Sequence, residues 1–330
     1  MAAAPDSKDL IPVTILTGFL GAGKTTLLNR ILTEQHGEKI AVIENEFGET
    51  GVDNEILVDD RQEQIVEMNN GCVCCTVRGD LVRILGDLGA KRKRGELKFD
   101  RVIIETTGLA NPGPVAQTFF MDEKIHDQYL LDAVVTVVDA KHAHKQLDEH
   151  DEARRQVGFA DRILLSKTDL VPDEEARGLM QRLRRMNPRA QQKKVHFGEA
   201  DIREILDIRG FNLNAVLEIE PGFLESDHHE HNDEVASFVW KDLRPLHMEK
   251  IETFLSLMVQ NYGEDLLRYK GILNIQGEPR RMIFQGVHML MGGTPGKPWG
   301  PGETRESVMV FIGRKLPRKL FEEGLAYCVA

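Results

Sequence analysis

The sequence predicts an α/β fold, a doubly wound and mainly parallel sheet, followed by a small α+β domain. Three observations predict it. Through residues 11–222 short apolar, β-rich runs alternate with stretches of helical spacing, the pattern of strands covered on both faces by helices. The first run enters a glycine-rich turn that opens a helix, as the first βα unit of such a sheet does. Beyond residue 234 strands follow one another, and the charge changes sign: residues 1–234 hold 29 basic against 43 acidic side chains, residues 235–330 hold 13 against 10.

In chain order, residues 1–10 are a small, charged tail. Residues 13–17 are β-rich and stop at Gly18, and residues 25–32 place Leu27, Leu28, Ile31 and Leu32 at helical spacing. Residues 39–43, 101–104, 133–138 and 162–165 are strand-like. Helices are expected over 80–90, 115–120 and 174–186, the last opened by Pro172-Asp173 and closed by Asn187-Pro188. Residues 223–234, rich in acid and histidine with no apolar period, read as a solvated linker between a domain over 11–222 and one over 235–330. In the second domain 237–240 reads as a strand and 246–260 as a helix. Strands are then expected over 272–275, 282–287 and 308–312, and a closing helix over 317–327.

Composition excludes several classes. The 41% apolar and 29% charged residues are an ordinary globular mix, and a net charge of −11 argues against a protein that coats a polyanion. No apolar run approaches the ~20 residues that span a bilayer. The start, MAAAPDSKDL, lacks the apolar core of a secretory signal. Four cysteines, three of them within residues 72–75, do not make a disulfide framework, so the expected compartment is the cytoplasm.

Three motifs carry chemistry. Gly18-Phe19-Leu20-Gly21-Ala22-Gly23-Lys24-Thr25 fits G-x-x-x-x-G-K-[ST] between a strand and a helix, where that string binds phosphate. Its glycines let backbone N–H groups close on phosphate oxygens, and the helix end adds a positive dipole. Lys24 is expected to reach the β- and γ-phosphates and the Thr25 hydroxyl to sit on Mg²⁺. Ser166-Lys167-Thr168-Asp169, after an apolar strand, fits the [NTS]-K-x-D pattern. The Asp169 carboxylate can accept from both N1–H and the 2-amino group of guanine, a donor pair adenine lacks, while Lys167 lays its stem on the base. Ile103-Ile104-Glu105-Thr106-Thr107-Gly108 ends a strand in a carboxylate. Glu105 can hold Mg²⁺ or its waters, and Gly108 can answer the γ-phosphate as a hinge.

Asn69-Asn70-Gly71-Cys72-Val73-Cys74-Cys75 sets three thiols too close for relaxed disulfides. Converging thiolates instead suit a soft or borderline divalent metal. Three sulfurs are one short of a closed tetrahedral zinc site, which leaves either an open position or a fourth ligand from elsewhere. Glu44, Glu46 and Glu49 offer carboxylates. Among weaker signals, His228, His229 and His231 can bind metal, His196 can approach the base, and Cys328 is expected only to pack. Lys91-Arg92-Lys93-Arg94 is expected to complement a helix C-terminus.

Taken together these motifs resemble the CobW-type metallochaperone GTPases. The matching stretches are TGFLGAGKTTLLN, IAVIENEFGE, NNGCVCC, VIIETTGLANPGPVAQTFF and DRILLSKTDL, then LLRYKGILNIQGEP, FQGV and VMVFIG in the second domain. The resemblance covers the chain after its first ten residues. It implies a P-loop GTPase domain followed by a CobW C-terminal α+β domain. GTP or GDP would lie on Gly18, Gly21, Ala22, Gly23, Lys24, Thr25 and Thr26, with Lys167 and Asp169 at the base. Metal would lie on Cys72, Cys74 and Cys75, and Glu44 and Glu49 match carboxylates that share a site with Cys74. Lys24, Thr25 and Glu105 are the residues expected to serve hydrolysis. The activity expected is GTP hydrolysis coupled to delivery of Zn²⁺, or the neighbouring Co²⁺ or Ni²⁺, to a client metalloprotein. A second copy of the chain is a further candidate partner; nucleic acid and membrane are not. Two other readings stand beside it: a metal-responsive GTP switch that controls partner binding without delivering metal, and a P-loop kinase, which the Ser166–Asp169 motif disfavours.

Overall fold

The computed structural model of the chain describes residues 10–34, 37–44, 64–67, 76–196, 205–208 and 235–330. Among them the chain divides into two compact units, each with its own sheet. The first takes the described residues up to Gln156, Ala160–Leu179 and those within Gln191–Phe211; the second takes those from Val235 onward with Val157–Phe159 and Met180–Ala190.

The first sheet contains β1 (Ile11–Gly18), β2 (Ile40–Glu44), β3 (Gln64–Glu67), β4 (Arg101–Glu105), β5 (Tyr129–Asp139), β6 (Arg162–Ser166) and β7 (Gln191–Lys194). All pairs are parallel, in the order β3-β2-β4-β1-β5-β6-β7. Between the strands run α1 (Lys24–Thr33), α2 (Thr76–Lys93), α3 (Pro112–Met121), α4 (Glu123–His126), α5 (Ala143–Glu149), α6 (Asp151–Phe159) and α7 (Asp173–Met186). β1 reads IPVTILTG because a central parallel strand is covered on both faces; seven of its eight residues are buried. Leu27 and Leu28 of α1 share one buried core with Val42, Ile103, Val135 and Leu164, one from each of four strands. Winding reverses at β1, which has β4 on one side and β5 on the other. The crevice at the carboxyl end of such a reversal is where open α/β sheets bind ligands. Toward the amino end lies a purely structural pair, Arg101 and Asp132, 3.0 Å apart with both side chains buried.

The second unit carries β8 (Val235–Asp242), α8 (Met248–Tyr262), β9 (Leu266–Leu273), β10 (Arg280–Val287), β11 (Leu290–Pro298), β12 (Ser307–Arg314) and α9 (Arg318–Tyr327). Its sheet is antiparallel in the order β11-β10-β9-β12-β8. Phe311 of β12 stacks on Phe238 of β8 at 5.2 Å and meets Phe321 of α9 edge-on at 4.9 Å, at the centre of an aromatic core.

The α/β and α+β expectations hold, with additions. β3, β7, β11, α4, α5 and α6 are not expected from the sequence, and β9 starts at Leu266 rather than at residue 272.

Candidate nucleotide-binding site

The loop from β1 to α1 folds over its own strand end. Gly18 has φ +147°, and a Cβ there would lie 2.3 Å from the Val137 carbonyl oxygen of β5, so the position demands glycine. Gly21 and Gly23 take φ +72° and +100°. Gly23 is the left-handed N-cap of α1; no side chain caps this helix and no acid stands in its first turn. Its leading N–H donors and positive dipole end are thereby offered to an anion. Lys24 is buried, and its Nζ donates to Gly18 O at 3.0 Å. Burial pulls the Lys24 pKa below the ordinary lysine value, and the Glu105 carboxylate offsets only part of that. A desolvated ammonium is stabilised by an anion brought beside it, which is the use a phosphate would make of it.

Thr25 Oγ1 donates to Glu105 Oε1 at 3.2 Å. Glu105 is the buried last residue of β4, in register with Leu16 of β1 and Glu44 of β2. A hydroxyl and a carboxylate oxygen beside a phosphate loop form a hard-oxygen donor set that fits Mg²⁺. Thr106 then ties the strand end to β1, its N–H donating to Leu16 O at 2.9 Å and its hydroxyl to Thr17 Oγ1 at 2.8 Å. At Gly108 a Cβ would lie 2.7 Å from the Leu20 nitrogen, so this backbone lies directly against the phosphate loop.

β6 delivers Ser166, Lys167 and Asp169 to the same edge. Ser166 Oγ donates to Ala22 O at 2.6 Å, and Lys167 Nζ donates to Gly21 O at 2.8 Å and to Asp139 Oδ2 at 2.7 Å. Lys167 has a left-handed backbone, φ +56°, and leads into a 3-10 turn, Thr168–Leu170. Asp169 is exposed there, with His196 Nδ1 3.5 Å from its Oδ1. The phosphate loop and the loop expected to read the base are therefore hydrogen-bonded to one another. Asp139, which holds the Lys167 ammonium, belongs to no motif; its signal is the one that picks out Glu105, a carboxylate ending an apolar strand.

Cys72, Cys74, Cys75, Glu46 and Glu49 lie outside the described residues, as do His228, His229 and His231. Glu44 is half-buried at the end of β2, with Glu105 its Cα partner on one side and Glu67 on the other. Among the described residues no group of three or more His, Cys, Asp or Glu is placed to hold a metal. The basic run ends α2: Arg92 Nε donates to Phe99 O at 2.9 Å and Arg94 pairs with Glu96. Cys328 is buried, its Sγ 3.2 Å from Gly324 O. No helix among the described residues is long and apolar enough to cross a membrane.

A parallel sheet with a phosphate loop at its reversal, joined to a Ser-Lys-x-Asp loop, defines a P-loop GTPase. Residues 12–194 match the family described as CobW/HypB/UreG, nucleotide-binding domain, and residues 235–329 match the cobalamin synthesis protein cobW C-terminal domain. The chain belongs to the CobW family. It is 45% identical to the zinc chaperone YjiA of Escherichia coli, across 96% of this chain and 98% of that one. It is 33% identical to the zinc chaperone CobW of Pseudomonas aeruginosa, across 97% and 92% of the two chains. Zinc-regulated GTPase metalloprotein activator 1 of Schizosaccharomyces pombe is 34% identical, across 84% and 75%. The crystal structure of the Zn(II)-bound YjiA GTPase from E. coli matches with a TM-score of 0.80 at 40% identity, covering 97% of this chain and 99% of that one.

Proposed function

We propose that this protein hydrolyses GTP and uses the cycle to bind zinc through Cys72, Cys74 and Cys75 with Glu44 or Glu49, and to hand the metal to a client protein. The register of β2 and β4 carries the reading: Glu44 stands beside Glu105, and Glu105 accepts from the Thr25 hydroxyl. A carboxylate expected at the metal site is thus one strand away from the carboxylate expected at the phosphates. The names of the relatives from E. coli and P. aeruginosa, both zinc chaperones, support the same reading. Thiolates with a carboxylate suit Zn²⁺ and also accept Co²⁺ or Ni²⁺.

In this reading the loop N–H groups and Lys24 hold the β- and γ-phosphates, while Lys167 and Asp169 hold guanine. Thr25 and Glu105 would hold Mg²⁺, which neutralises charge on the β- and γ-oxygens during phosphoryl transfer. The client is tested by capture from extract of the protein's own cell, with the protein loaded with zinc and GTP. Zinc is expected to move to the captured partner, and to stay in place with the Lys24→Ala variant. A partner captured in the GTP state without movement of metal would replace delivery with a metal-responsive switch.

A further inference from the structure

Gln156 lies on α6, outside every motif. It is 1% exposed, and its Nε2 donates to Gly108 O and to Ala110 O, each at 3.0 Å. Chemistry fixes the orientation of this amide, because the opposite flip would set its oxygen against two carbonyl oxygens. Both acceptors belong to the turn over residues 107–110, which Ala110 N–H closes by donating to Thr107 O at 3.1 Å. Gln156 is itself anchored to the sheet, where its backbone carbonyl accepts from Thr136 Oγ1 of β5 at 2.9 Å.

The same turn touches the phosphate loop on its other side, through the contact of Gly108 with Leu20. It also follows Glu105, whose carboxylate accepts from Thr25. In a planar peptide the carbonyl and the next N–H point in opposite directions. Holding Gly108 O therefore sets the Leu109 N–H, and holding Ala110 O sets the Asn111 N–H. One buried amide thus holds two carbonyls of the segment that follows Glu105 and lies against the phosphate loop.

We propose that Gln156 is a positioning residue for GTP hydrolysis, clamping the 107–110 turn against the phosphate loop in the arrangement turnover requires. The proposal rests on this edge being the hydrolytic site, and it acts on the γ-phosphate side, so GDP should be indifferent to it. Two variants separate the donors from the packing. Gln156→Met keeps the length without any donor. Gln156→Glu keeps the shape, loses both donors when ionised and regains one O–H when protonated.

Steady-state GTP hydrolysis and GDP affinity are measured on both variants and on the unmodified protein. In both variants kcat is expected to fall about tenfold or more, the effect of losing two hydrogen bonds, with GDP affinity within about twofold of unmodified. Gln156→Glu should recover part of its kcat as pH is lowered, and Gln156→Met should not. An unchanged kcat in both variants overturns the proposal, as does a matching loss of GDP affinity, which would mark Gln156 as packing alone. If Gln156→Glu does not fold, the Gln156→Met comparison of kcat with GDP affinity decides by itself. No turnover in the unmodified protein overturns the hydrolase reading, and the proposal with it.

Discussion

Asp139 is a carboxylate at 2% exposure, and it can stay ionised there because donors surround it. Lys167 Nζ lies 2.7 Å and His142 Nδ1 2.9 Å from its Oδ2, while the Lys141 N–H donates to Oδ1 at 2.9 Å. Burial pushes the carboxyl up, but the hydrogen bonds from Lys167 and His142, the lysine charge and the Lys141 N–H outweigh it and hold it below the usual carboxylate range. A pKa that is lower folded than unfolded adds stability that is complete above about pH 4 and fades as pH falls through the native value. Asp139→Asn should therefore lower the urea midpoint at neutral pH and converge with the unmodified protein in acid; a gap that stays constant would rule this out. The same change loosens Lys167 from the phosphate loop. GTP and GDP should both weaken about tenfold, since a hydrogen bond to a charged group contributes roughly 1.5–3 kcal/mol. Asp169 is expected to decide which base is bound. In Asp169→Asn an amide cannot accept from both N1–H and the 2-amino group, so GTP weakens. Xanthosine triphosphate, whose C2 carbonyl accepts from the amide, should gain. Competition binding reads both, and ATP displacing GTP from the unmodified protein as well as GTP does would remove the guanine assignment.

At the scale of elements, Gly18 tests how closely β1 approaches β5. Gly18→Ala should cost roughly 1–3 kcal/mol from its backbone conformation alone, with the clash against Val137 O in addition. Gly86→Ala, in the middle of α2 where a Cβ meets nothing within 4 Å, should stabilise by about 0.5–1 kcal/mol instead. Thermal unfolding of the two variants checks this, and a Gly18→Ala midpoint at or above that of Gly86→Ala would contradict the close approach. The same contrast explains what was legible in the sequence. β1, β4 and β6 are apolar runs that end in site residues, and the phosphate loop displays its backbone demands as glycines. β7 (QQKK) and β11 (LMGGTPGKP) lie at sheet edges among the described residues and bury no residue fully, so neither carries an apolar face to read. β9 hides its first residues behind Arg268 and Lys270, both buried at 3% exposure yet read as surface in a sequence. α6 hides likewise, because its inward side carries Arg154 and Gln156 beside Ala153 and Val157. Lys167 meets Asp139 across 28 residues, and Gln156 meets its two acceptors across 46 and 48. Separations of that kind leave no local pattern to read.

At the scale of the whole molecule, the proposed cycle requires metal and nucleotide to sense one another. The stretch from Glu44 to the thiolates begins at the strand beside Glu105, and Glu105 is hydrogen-bonded to the Thr25 hydroxyl. Ordering Thr25 and Glu105 around a nucleotide is then expected to alter zinc binding by Glu44, Cys72, Cys74 and Cys75. Linkage makes the effect reciprocal: whatever factor GTP applies to metal affinity, metal applies to GTP affinity. A coupling of about 1–3 kcal/mol corresponds to a ~5–150-fold difference in zinc affinity between nucleotide states. GTP should strengthen zinc binding and hydrolysis should loosen it, because loss of the γ-phosphate releases the segments it orders. Zinc titrations of the GDP form, of the form with a non-hydrolysable GTP analogue and of the nucleotide-free protein measure the factor directly. GTP titrations with and without zinc must return the same factor. Cys74→Ala should abolish the difference between states while leaving GDP affinity in place, since Cys74 lies in no nucleotide motif. Equal zinc affinity in all three states would leave a GTPase with a merely structural metal site, because a metal bound alike before and after hydrolysis has no reason to leave.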